Sequence, residues 1–246
     1  MDENTERAPW QFTEETAAQY EADQGRNPLF RWLHSLRYKH ITEVFESIHL
    51  DRPIRVVEIG CAQSKLFGLL NKRFSIQYTG IDIDPMLISI ASRRYAKSEN
   101  FSARVGRAEE VLPTLEQPDI VVALETLEHV GAPIAQGIVD AIAKLKPSLF
   151  VCSVPVEVGP IIWVKNAGSA LLRYSRHHEY TWAETLWSGL YQLDRVRPND
   201  GGHRGFDWRV LAAAIRDNMD LREVRRFPFG LPAGLSTSVF MVARTI

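Results

Sequence analysis

The sequence predicts an α/β protein with a mostly parallel central sheet and helices on both faces. From Ile54 onward, short apolar runs alternate with amphipathic helical segments, and this alternation requires crossover connections between parallel strands. The chain then ends on two consecutive strand-like segments, LREVRRFPFG and STSVFMVART, with only a short link between them. Two strands joined by such a short link pair as an antiparallel hairpin, so the last strand is expected to be antiparallel to the others.

Composition and charge exclude several classes of protein. The chain has 246 residues, 45% hydrophobic and 24% charged, which is ordinary for a globular protein. Its 29 Lys and Arg balance 30 Asp and Glu for a formal charge of −1, so no global basic surface indicates nucleic-acid binding. No run reaches the ~18 apolar residues of a membrane span, and the acidic start is not typical of a secretory signal. Cys61 and Cys152 lack metal-type spacing and are interpreted as reduced core thiols of a cytoplasmic protein.

Residues 1–50 are predicted to form an N-terminal arm and covering helices, ahead of a main domain over residues 51–246. Thr13 is a candidate helix cap with acidic residues in the turn that follows. The segment from Asn27 to Ile48 has the apolar spacing of a long amphipathic helix. That helix either covers the sheet or forms one wall of a substrate pocket.

Five strands and their helices are predicted before residue 156. Asp84 is the expected cap of the second helix, with Pro85 at its first position, where a missing N–H costs nothing. The predicted strand segments are VVEIG, IQYTGIDID, FSARVG, Asp119 to Leu124, and SLFVCSVP.

About fifty residues, from 156 to 202, interrupt the alternation of strands and helices. We call this segment the lid insertion. It is rich in aromatic residues, namely Trp163, Tyr174, Tyr180, Trp182, Trp187 and Tyr191. A long insertion after a strand of the sheet is typical of a lid over a substrate, although an ordinary helical addition packing on its own aromatics remains the alternative.

Three features with characteristic spacing indicate a nucleoside ligand. Glu58 and Gly60 lie where the first strand turns into a helix, and backbone N–H groups at such a turn bind ligands. Asp82 follows Gly60 by 22 residues and closes the second strand, a separation at which a carboxylate can accept hydrogen bonds from a ribose. Residues Gly106 to Glu109 are expected to form the loop after the third strand, beside the base.

Five segments in this order, VVEIGCAQS, YTGIDIDP, VGRAEEVLP, DIVVALETLEHV and LKPSLFVCSVP, resemble the motifs of class I S-adenosylmethionine-dependent methyltransferases. The resemblance covers about residues 54 to 155. It implies a three-layer Rossmann-like methyltransferase fold with a seven-stranded sheet and an antiparallel last strand. It also implies that S-adenosylmethionine is bound by Glu58 at the methionine amino group, Gly60 and Ala62 beneath the cofactor, Asp82 at the ribose with Ile83 next to it, Ala108 and Glu109 beside adenine, and Leu124 or Glu125 near the sulfonium.

The chain departs from the family pattern at two places. Ala62 and Ser64 occupy the usual second and third small positions of the glycine loop, so the turn is expected to be wider or the ligand approach different. Arg107 stands where many relatives carry an adenine-binding Asp. A dinucleotide-binding domain is disfavoured, because no GxGxxG is present and the closing hairpin does not suit that fold.

The segment ETLEH after the fourth strand supplies candidate catalytic groups. If it is helical, Glu125, Glu128 and His129 share one face. His203 and Asp207 in GGHRGFDW are further candidates. This arrangement is similar to that of magnesium-assisted O-methyltransferases, such as those of ubiquinone biosynthesis, and of small-RNA 2′-O-methyltransferases.

The resemblance implies that Glu125, Glu128, His129 and His203 hold Mg²⁺ or Mn²⁺. Two alternatives remain: His129 or His203 acts as a general base beside Glu125, or these residues only position the acceptor.

Three functions are compatible with the sequence. The first is methyl transfer to a small-molecule acceptor, with an oxygen as the expected acceptor atom. The second is RNA 2′-O-methylation with a divalent metal, and the third is a non-catalytic, methyltransferase-like binding subunit. A basic cluster in the lid insertion is either a solvated helix face or a contact for an acidic acceptor; it consists of Arg173, Arg176, His177 and His178.

Overall fold

The computed structural model describes residues 12–19, 28–171, 180–197 and 202–245. The chain divides into two compact units, Met1–Pro118 and Asp119–Ile246. In the described part of the chain, no helix combines the length and hydropathy that a membrane span requires. The N-terminal arm lies mostly outside the described residues, and the basic cluster at residues 173–178 lies wholly outside them.

The first unit alternates helices with parallel strands. Its elements are α1 (residues 14–19), α2 (Pro28–Glu46), β1 (Ile54–Ile59), α3 (Lys65–Leu70), β2 (Ile76–Asp82), α4 (Pro85–Arg94), β3 (Phe101–Val105) and the short α5 (Ala108–Val111). β2 pairs in parallel with both β1 and β3. Strand β1 is buried along almost its whole length, as the apolar run predicts for a central parallel strand.

The interior of the first unit contains a cluster of aromatic rings. The ring of Phe67 on α3 packs 5.2 Å from that of Tyr78, 4.7 Å from Tyr95 and 4.9 Å from Phe101, measured between centroids. Tyr78 and Phe67 are almost completely buried. These rings pack α3 against β2 and β3, and thereby fix the helix that follows the turn at the end of β1.

The second unit contains the remaining strands, the helices between β4 and β6, and the lid insertion. Its elements are β4 (Ile120–Leu124), α6 (Ala132–Leu145), β5 (Leu149–Pro155), α7 (Ile161–Leu171), α8 (Trp182–Gly189), α9 (Trp208–Asn218), β6 (Asp220–Phe227) and β7 (Ser238–Arg244). Helices α7 and α8 are the described helices of the lid insertion. Helix α8 begins at a capping box, in which Thr181 and Glu184 each accept a hydrogen bond from the other's backbone N–H.

The closing hairpin is antiparallel, as predicted. β4 and β5 are parallel, whereas β7 runs antiparallel to both β5 and β6. Hydrogen bonding orders the seven strands β3-β2-β1-β4-β5-β7-β6. The structure therefore confirms the predicted fold class: a seven-stranded, mostly parallel sheet with an antiparallel last strand and flanking helices.

Both cysteines are buried free thiols, as the sequence indicated. Burial raises the pKa of Cys152, and it raises that of Cys61 well above its usual value, with Glu58 and Asp82 adding to the effect. Protonated, buried thiols are unreactive.

Candidate active site

The turn between β1 and α3 has the backbone of a glycine loop without most of its glycines. Gly60 has φ 66°, Ala62 has φ 45° and Ser64 has φ 54°, so all three residues are left-handed. A side chain in this conformation costs roughly 1–2 kcal/mol. The two substitutions noted in the sequence therefore do not abolish the turn's left-handed geometry, which Ala62 and Ser64 adopt under strain.

The carboxylate of Asp82, at the end of β2, holds this turn. One oxygen accepts a hydrogen bond from the backbone N–H of Ala62 at 2.8 Å, and the other accepts one from that of Asp84 at 2.9 Å. Burial raises the pKa of Asp82, while these backbone N–H groups oppose the rise. Each carboxylate oxygen can accept a second hydrogen bond, so Asp82 retains the capacity to bind ribose hydroxyls. Ile83, next along the chain, is half exposed.

Glu58 lies within β1 and is almost completely buried. The hydroxyl of Tyr78 donates a short hydrogen bond to its carboxylate. Burial raises the pKa of Glu58 to about 8, against the opposing effect of the Tyr78 hydrogen bond, and the Asp82 charge adds to the rise. This rise favours the protonated form of Glu58, whereas a nearby ammonium group would favour its ionised form.

The segment after β3 differs from the predicted loop. Only Gly106 and Arg107 are non-helical, because Ala108 and Glu109 already belong to α5. The backbone N–H of Gly106 donates to the carbonyl of Asp82 at 2.9 Å, which joins this segment to the end of β2. Ala108 is buried, and the carboxylate of Glu109 accepts a hydrogen bond from Arg107 at 3.1 Å. Arg107 therefore pairs with its neighbour on the same segment.

The ETLEH segment is not the α-helix that would place its acidic residues on one face. Glu125 has φ 51°, and a 3₁₀ turn begins only at Leu127 and ends at His129. The left-handed Glu125 breaks the helical spacing, and its carboxylate accepts a hydrogen bond from Ser153 at 3.1 Å. Leu124, the last residue of β4, is partly exposed.

Glu128, His129 and His203 form a cluster within the second unit, and potential metal-ligand atoms of all three lie within 4.8 Å of one another. The Nε2 atoms of the two histidines are 3.3 Å apart. Oε1 of Glu128 lies 3.8 Å from Nε2 of His129 and 3.9 Å from Nε2 of His203. Glu125, predicted as a fourth ligand, is not a member of this set.

The cluster has dimensions suited to a divalent cation. From the three separations, a point equidistant from the two Nε2 atoms and Oε1 lies about 2.1 Å from each, a normal distance for a metal bound by imidazole and carboxylate. Two imidazoles and one carboxylate suit Mn²⁺, Fe²⁺, Co²⁺ or Zn²⁺ better than Mg²⁺, which prefers oxygen ligands.

Exposure differs across the cluster. The side chains of His129 and His203 are 35% and 29% exposed, whereas that of Glu128 is fully buried. A molecule arriving from solvent would therefore meet the imidazoles first. Asp207, the other candidate in GGHRGFDW, instead caps α9 and pairs with Arg209 at 2.7 Å.

The sequence interpretation missed three residues beside this cluster. Glu157 follows β5, and one of its oxygens lies 3.9 Å from Nδ1 of His203. Lys165 on α7 and Tyr180 before α8 both contact the carboxylate of Glu157. A signal was present, since Glu157 is the only charged residue in the run VPVEVG, but no spacing rule connects it to His203.

A protein-family model described as a methyltransferase domain matches residues 30–188, well over half of the chain. No curated protein matches the sequence significantly.

Solved structures of methyltransferases share the fold. Magnesium protoporphyrin IX methyltransferase (ChlM) from Synechocystis PCC 6803, with bound SAH, is 13% identical, with a TM-score of 0.66 and 96% of each chain covered. The methyltransferase domain of bacterial CtHen1 is 15% identical, with a TM-score of 0.58, covering 86% of this chain and 99% of that one. A chain from the complex of the Haloferax volcanii Trm112 methyltransferase activator with a putative methyltransferase is 14% identical, with a TM-score of 0.59 and 94% of each chain covered.

The matched family model, the strand order and the antiparallel last strand agree with one another. The chain belongs to the class I S-adenosylmethionine-dependent methyltransferases.

Proposed function

We propose that this enzyme transfers the methyl group of S-adenosylmethionine to a hydroxyl oxygen of a small-molecule acceptor. The observation behind the proposal is the cluster of Glu128, His129 and His203, with two partly exposed imidazoles in front of a buried carboxylate. A hydroxyl acceptor must lose its proton during methyl transfer, so a basic or metal-binding group beside it accelerates the reaction. Near-neutral net charge favours a small acceptor over a polyanion.

Most of the residues assigned to the cofactor belong to the first unit. In this proposal Asp82 accepts hydrogen bonds from the ribose hydroxyls, with Ile83 beside it, and Glu58 accepts one from the methionine ammonium group. Gly60 and Ala62 pass beneath the cofactor. Ala108 and Glu109 lie beside adenine, and Leu124 or Glu125 lies near the sulfonium.

Methyl transfer from a sulfonium is an in-line displacement. The acceptor oxygen forms a bond to the methyl carbon while the carbon–sulfur bond breaks, and sulfur keeps the electron pair as S-adenosylhomocysteine leaves. In this proposal, Nε2 of a neutral His129 or His203 takes the hydroxyl proton. Glu128, behind both imidazoles, would stabilise the imidazolium that forms. Glu125, held by Ser153, is a candidate for positioning the acceptor.

The same three cluster residues would hold a divalent cation. Such an ion would supply Lewis-acid stabilisation of the developing alkoxide. The protein's part would then be to fix Glu128, His129 and His203 and to keep both imidazoles neutral, since only neutral imidazole binds a metal.

A second candidate function is RNA 2′-O-methylation. The compact set of two imidazoles and one carboxylate favours it, because the sequence resemblance to small-RNA 2′-O-methyltransferases implies a metal at these residues. The formal charge of −1 opposes it. Adding EDTA to an assay with RNA bearing a free 2′-hydroxyl tests this alternative: a metal-dependent product supports it, and the absence of product with or without metal excludes it.

Calorimetric titration with S-adenosylhomocysteine tests the cofactor assignment. We expect the wild type to bind, and Asp82→Ala to lose at least tenfold in affinity, or about 1.4 kcal/mol, because ribose hydrogen bonds are lost. Asp220→Ala, an exposed carboxylate on β6, is the matched control and should bind normally. Equal affinities for all three proteins would contradict the role of Asp82, and no binding by the wild type would overturn the proposed activity.

A further inference from the structure

Glu157 is a completely buried carboxylate. Burying a carboxylate charge is costly unless nearby groups compensate it. Here Nζ of Lys165 lies 3.3 Å from Oε1, and the hydroxyl of Tyr180 donates a hydrogen bond to Oε2 at 3.1 Å. Lys165 is itself held in place, because its ammonium donates to the carbonyls of Val156 at 2.7 Å and Thr237 at 2.9 Å. The charge of Glu157 is therefore compensated and its position is fixed.

His203 lies between this carboxylate and the other two residues of the cluster. Its Nδ1 is 3.9 Å from Oε1 of Glu157, while its Nε2 is 3.3 Å from Nε2 of His129 and 3.9 Å from Oε1 of Glu128. The two nitrogens of one ring thus face two different buried carboxylates. Which nitrogen bears the proton decides whether the cluster side of the ring donates or accepts.

The electrostatics favour one tautomer. Only one of the two Nε2 atoms can donate in the 3.3 Å contact between His129 and His203. If His203 were the donor, the Nε2 lone pair of His129 would face Glu128 and the Nδ1 lone pair of His203 would face the Glu157 oxygen, so two pairs of acceptors would repel each other. If His129 is the donor, only Nε2 of His203 turns a lone pair toward a carboxylate, that of Glu128 at 3.9 Å. If Nδ1 bears the proton, the N–H dipole points toward the carboxylate and is attracted to it. The separation of 3.9 Å exceeds a hydrogen bond, so this attraction is electrostatic.

We propose that Glu157 is a positioning residue that holds His203 as the Nδ1–H tautomer, so that the Nε2 lone pair faces Glu128 and His129 and can bind a divalent cation. Metal-bound histidines commonly donate their second N–H to a carboxylate, which fixes both tautomer and ring orientation. The proposal deepens the proposed function and rests on it for the metal, whereas the tautomer assignment is independent of any metal.

The same contacts join the lid insertion to the cluster. Three residues of the insertion make these contacts. Glu157 lies at its start, Lys165 lies on α7, and Tyr180 lies just before α8. Through the carboxylate of Glu157 the insertion sets the orientation of His203. Sequence spacing alone does not reveal this connection, because Glu157 and His203 are far apart in the chain.

The nitrogen chemical shifts of the imidazoles test the tautomer directly. We expect ¹⁵N spectra of the full-length protein, at a pH where histidine is neutral, to show a protonated-type Nδ1 and an unprotonated-type Nε2 for His203, with His203→Gln identifying the signals. The Glu157→Gln variant should move His203 toward a mixture of tautomers. A wild-type His203 protonated at Nε2 overturns the proposal, even if the Glu157 variant fails to fold.

Titration with Co²⁺, followed by its visible absorption, tests the consequence for metal binding. We expect Glu157→Gln to weaken Co²⁺ binding by about 10–100-fold, the usual cost of losing the carboxylate behind a metal-bound histidine. Tyr180→Phe is the matched control, since it removes a hydrogen bond to the same carboxylate but leaves the oxygen that faces His203. Its affinity should stay close to that of the wild type.

The outcomes separate this proposal from the proposed function. Equal Co²⁺ affinity in the wild type and Glu157→Gln overturns the role of Glu157 and leaves the metal site intact. Equal losses in Glu157→Gln and Tyr180→Phe also overturn it, because they indicate a general structural role. If the wild type binds no Co²⁺, the metal part of the proposed function fails, and the ¹⁵N spectrum alone decides the tautomer.

Discussion

At the residue scale, the buried carboxylates of Glu58 and Glu157 and the partly buried one of Asp82 illustrate how the surroundings decide the role of one chemical group. Asp82 is compensated by backbone N–H groups, Glu157 by Lys165, and Glu58 by the neutral hydroxyl of Tyr78. Only Glu58 therefore lacks a charged or backbone donor among these named contacts. Its pKa, raised to about 8 mainly by burial, reflects that difference.

The raised pKa of Glu58 predicts a pH-dependent stability. An unfolded Glu titrates near about 4.3, so between about pH 4.3 and pH 8 the folded protein binds one proton more than the unfolded chain. The contribution of Glu58 to the free energy of unfolding is therefore largest below the pKa of the unfolded residue. It falls as the pH rises toward the folded pKa, by at most about 1.4 kcal/mol per pH unit. The Glu58→Gln side chain stays neutral, so we expect this variant to lose much of the pH dependence. Its stability relative to the wild type should therefore increase as the pH rises.

Urea denaturation across this pH range is the measurement. Glu99→Gln removes an exposed carboxylate of the same unit and should leave the wild-type profile unchanged. Parallel profiles for Glu58→Gln and the wild type would show that Glu58 titrates normally in the folded protein.

At the scale of the element, the turn after β1 has a left-handed backbone at three alternate residues, Gly60, Ala62 and Ser64. Asp82 contributes to holding this geometry through the backbone N–H of Ala62. Packing adds a second restraint, because a Cβ on Gly80 would lie 2.6 Å from Sγ of Cys61. Only glycine fits at that position of β2 without displacing the turn.

Ala62→Gly is predicted to stabilise the protein. Glycine removes the left-handed penalty of roughly 1–2 kcal/mol, and the greater freedom of the unfolded chain offsets about 0.4–1 kcal/mol of that gain. The expected net effect is a stabilisation of about 0.5–1 kcal/mol, measured by urea or thermal unfolding. Ala103→Gly, on β3 where φ is negative, should instead destabilise by about 0.5–1 kcal/mol. Two destabilised variants would mean that the turn is not strained at Ala62.

Local elements could be predicted from the sequence because their causes are local. The cap of α4 is an example: the Asp84 side chain accepts hydrogen bonds from the N–H groups of Met86 at 2.8 Å and Leu87 at 3.0 Å, as Asp before Pro85 predicts. The helical arrangement considered for ETLEH does not form, and its cause is not local. No residue in that segment predicts the left-handed conformation of Glu125. This conformation accompanies hydrogen bonds between Glu125 and Ser153 on β5.

At the scale of the whole molecule, the mostly parallel sheet and its antiparallel last strand were predictable, whereas the cluster was only partly so. The parallel sheet follows from the alternation of strands and helices, and the antiparallel strand follows from the short final link. His129 and His203 are 74 positions apart, and their proximity depends on where the chain returns after the lid insertion. The family resemblance suggested that His129 and His203 lie together, but only the structure reveals that Glu157 lies beside His203.

The two candidate sets of residues are assigned to different units, and this predicts separate ligand responses. Most cofactor residues belong to Met1–Pro118, and the whole cluster belongs to Asp119–Ile246. We expect S-adenosylhomocysteine to slow amide hydrogen exchange in peptides covering Gly60 to Ser64 and Gly106 to Ala108. Co²⁺ should slow exchange in peptides covering Leu127 to His129 and His203, because a ligand stabilises the segments that hold it.

Hydrogen exchange with mass spectrometry distinguishes the two binding sites when one residue of each site is replaced in turn. Asp82→Ala should weaken protection by S-adenosylhomocysteine while Co²⁺ still protects its own peptides. Glu128→Gln should have the converse effect. At about 100 times its Kd, either ligand stabilises the folded state by about 2.7 kcal/mol, so protection in the variant that retains the site should be easy to detect. Protection by S-adenosylhomocysteine that bypasses Gly60 to Ser64 would contradict the cofactor assignment, because Ala62 and Asp82 are bonded to each other at that turn.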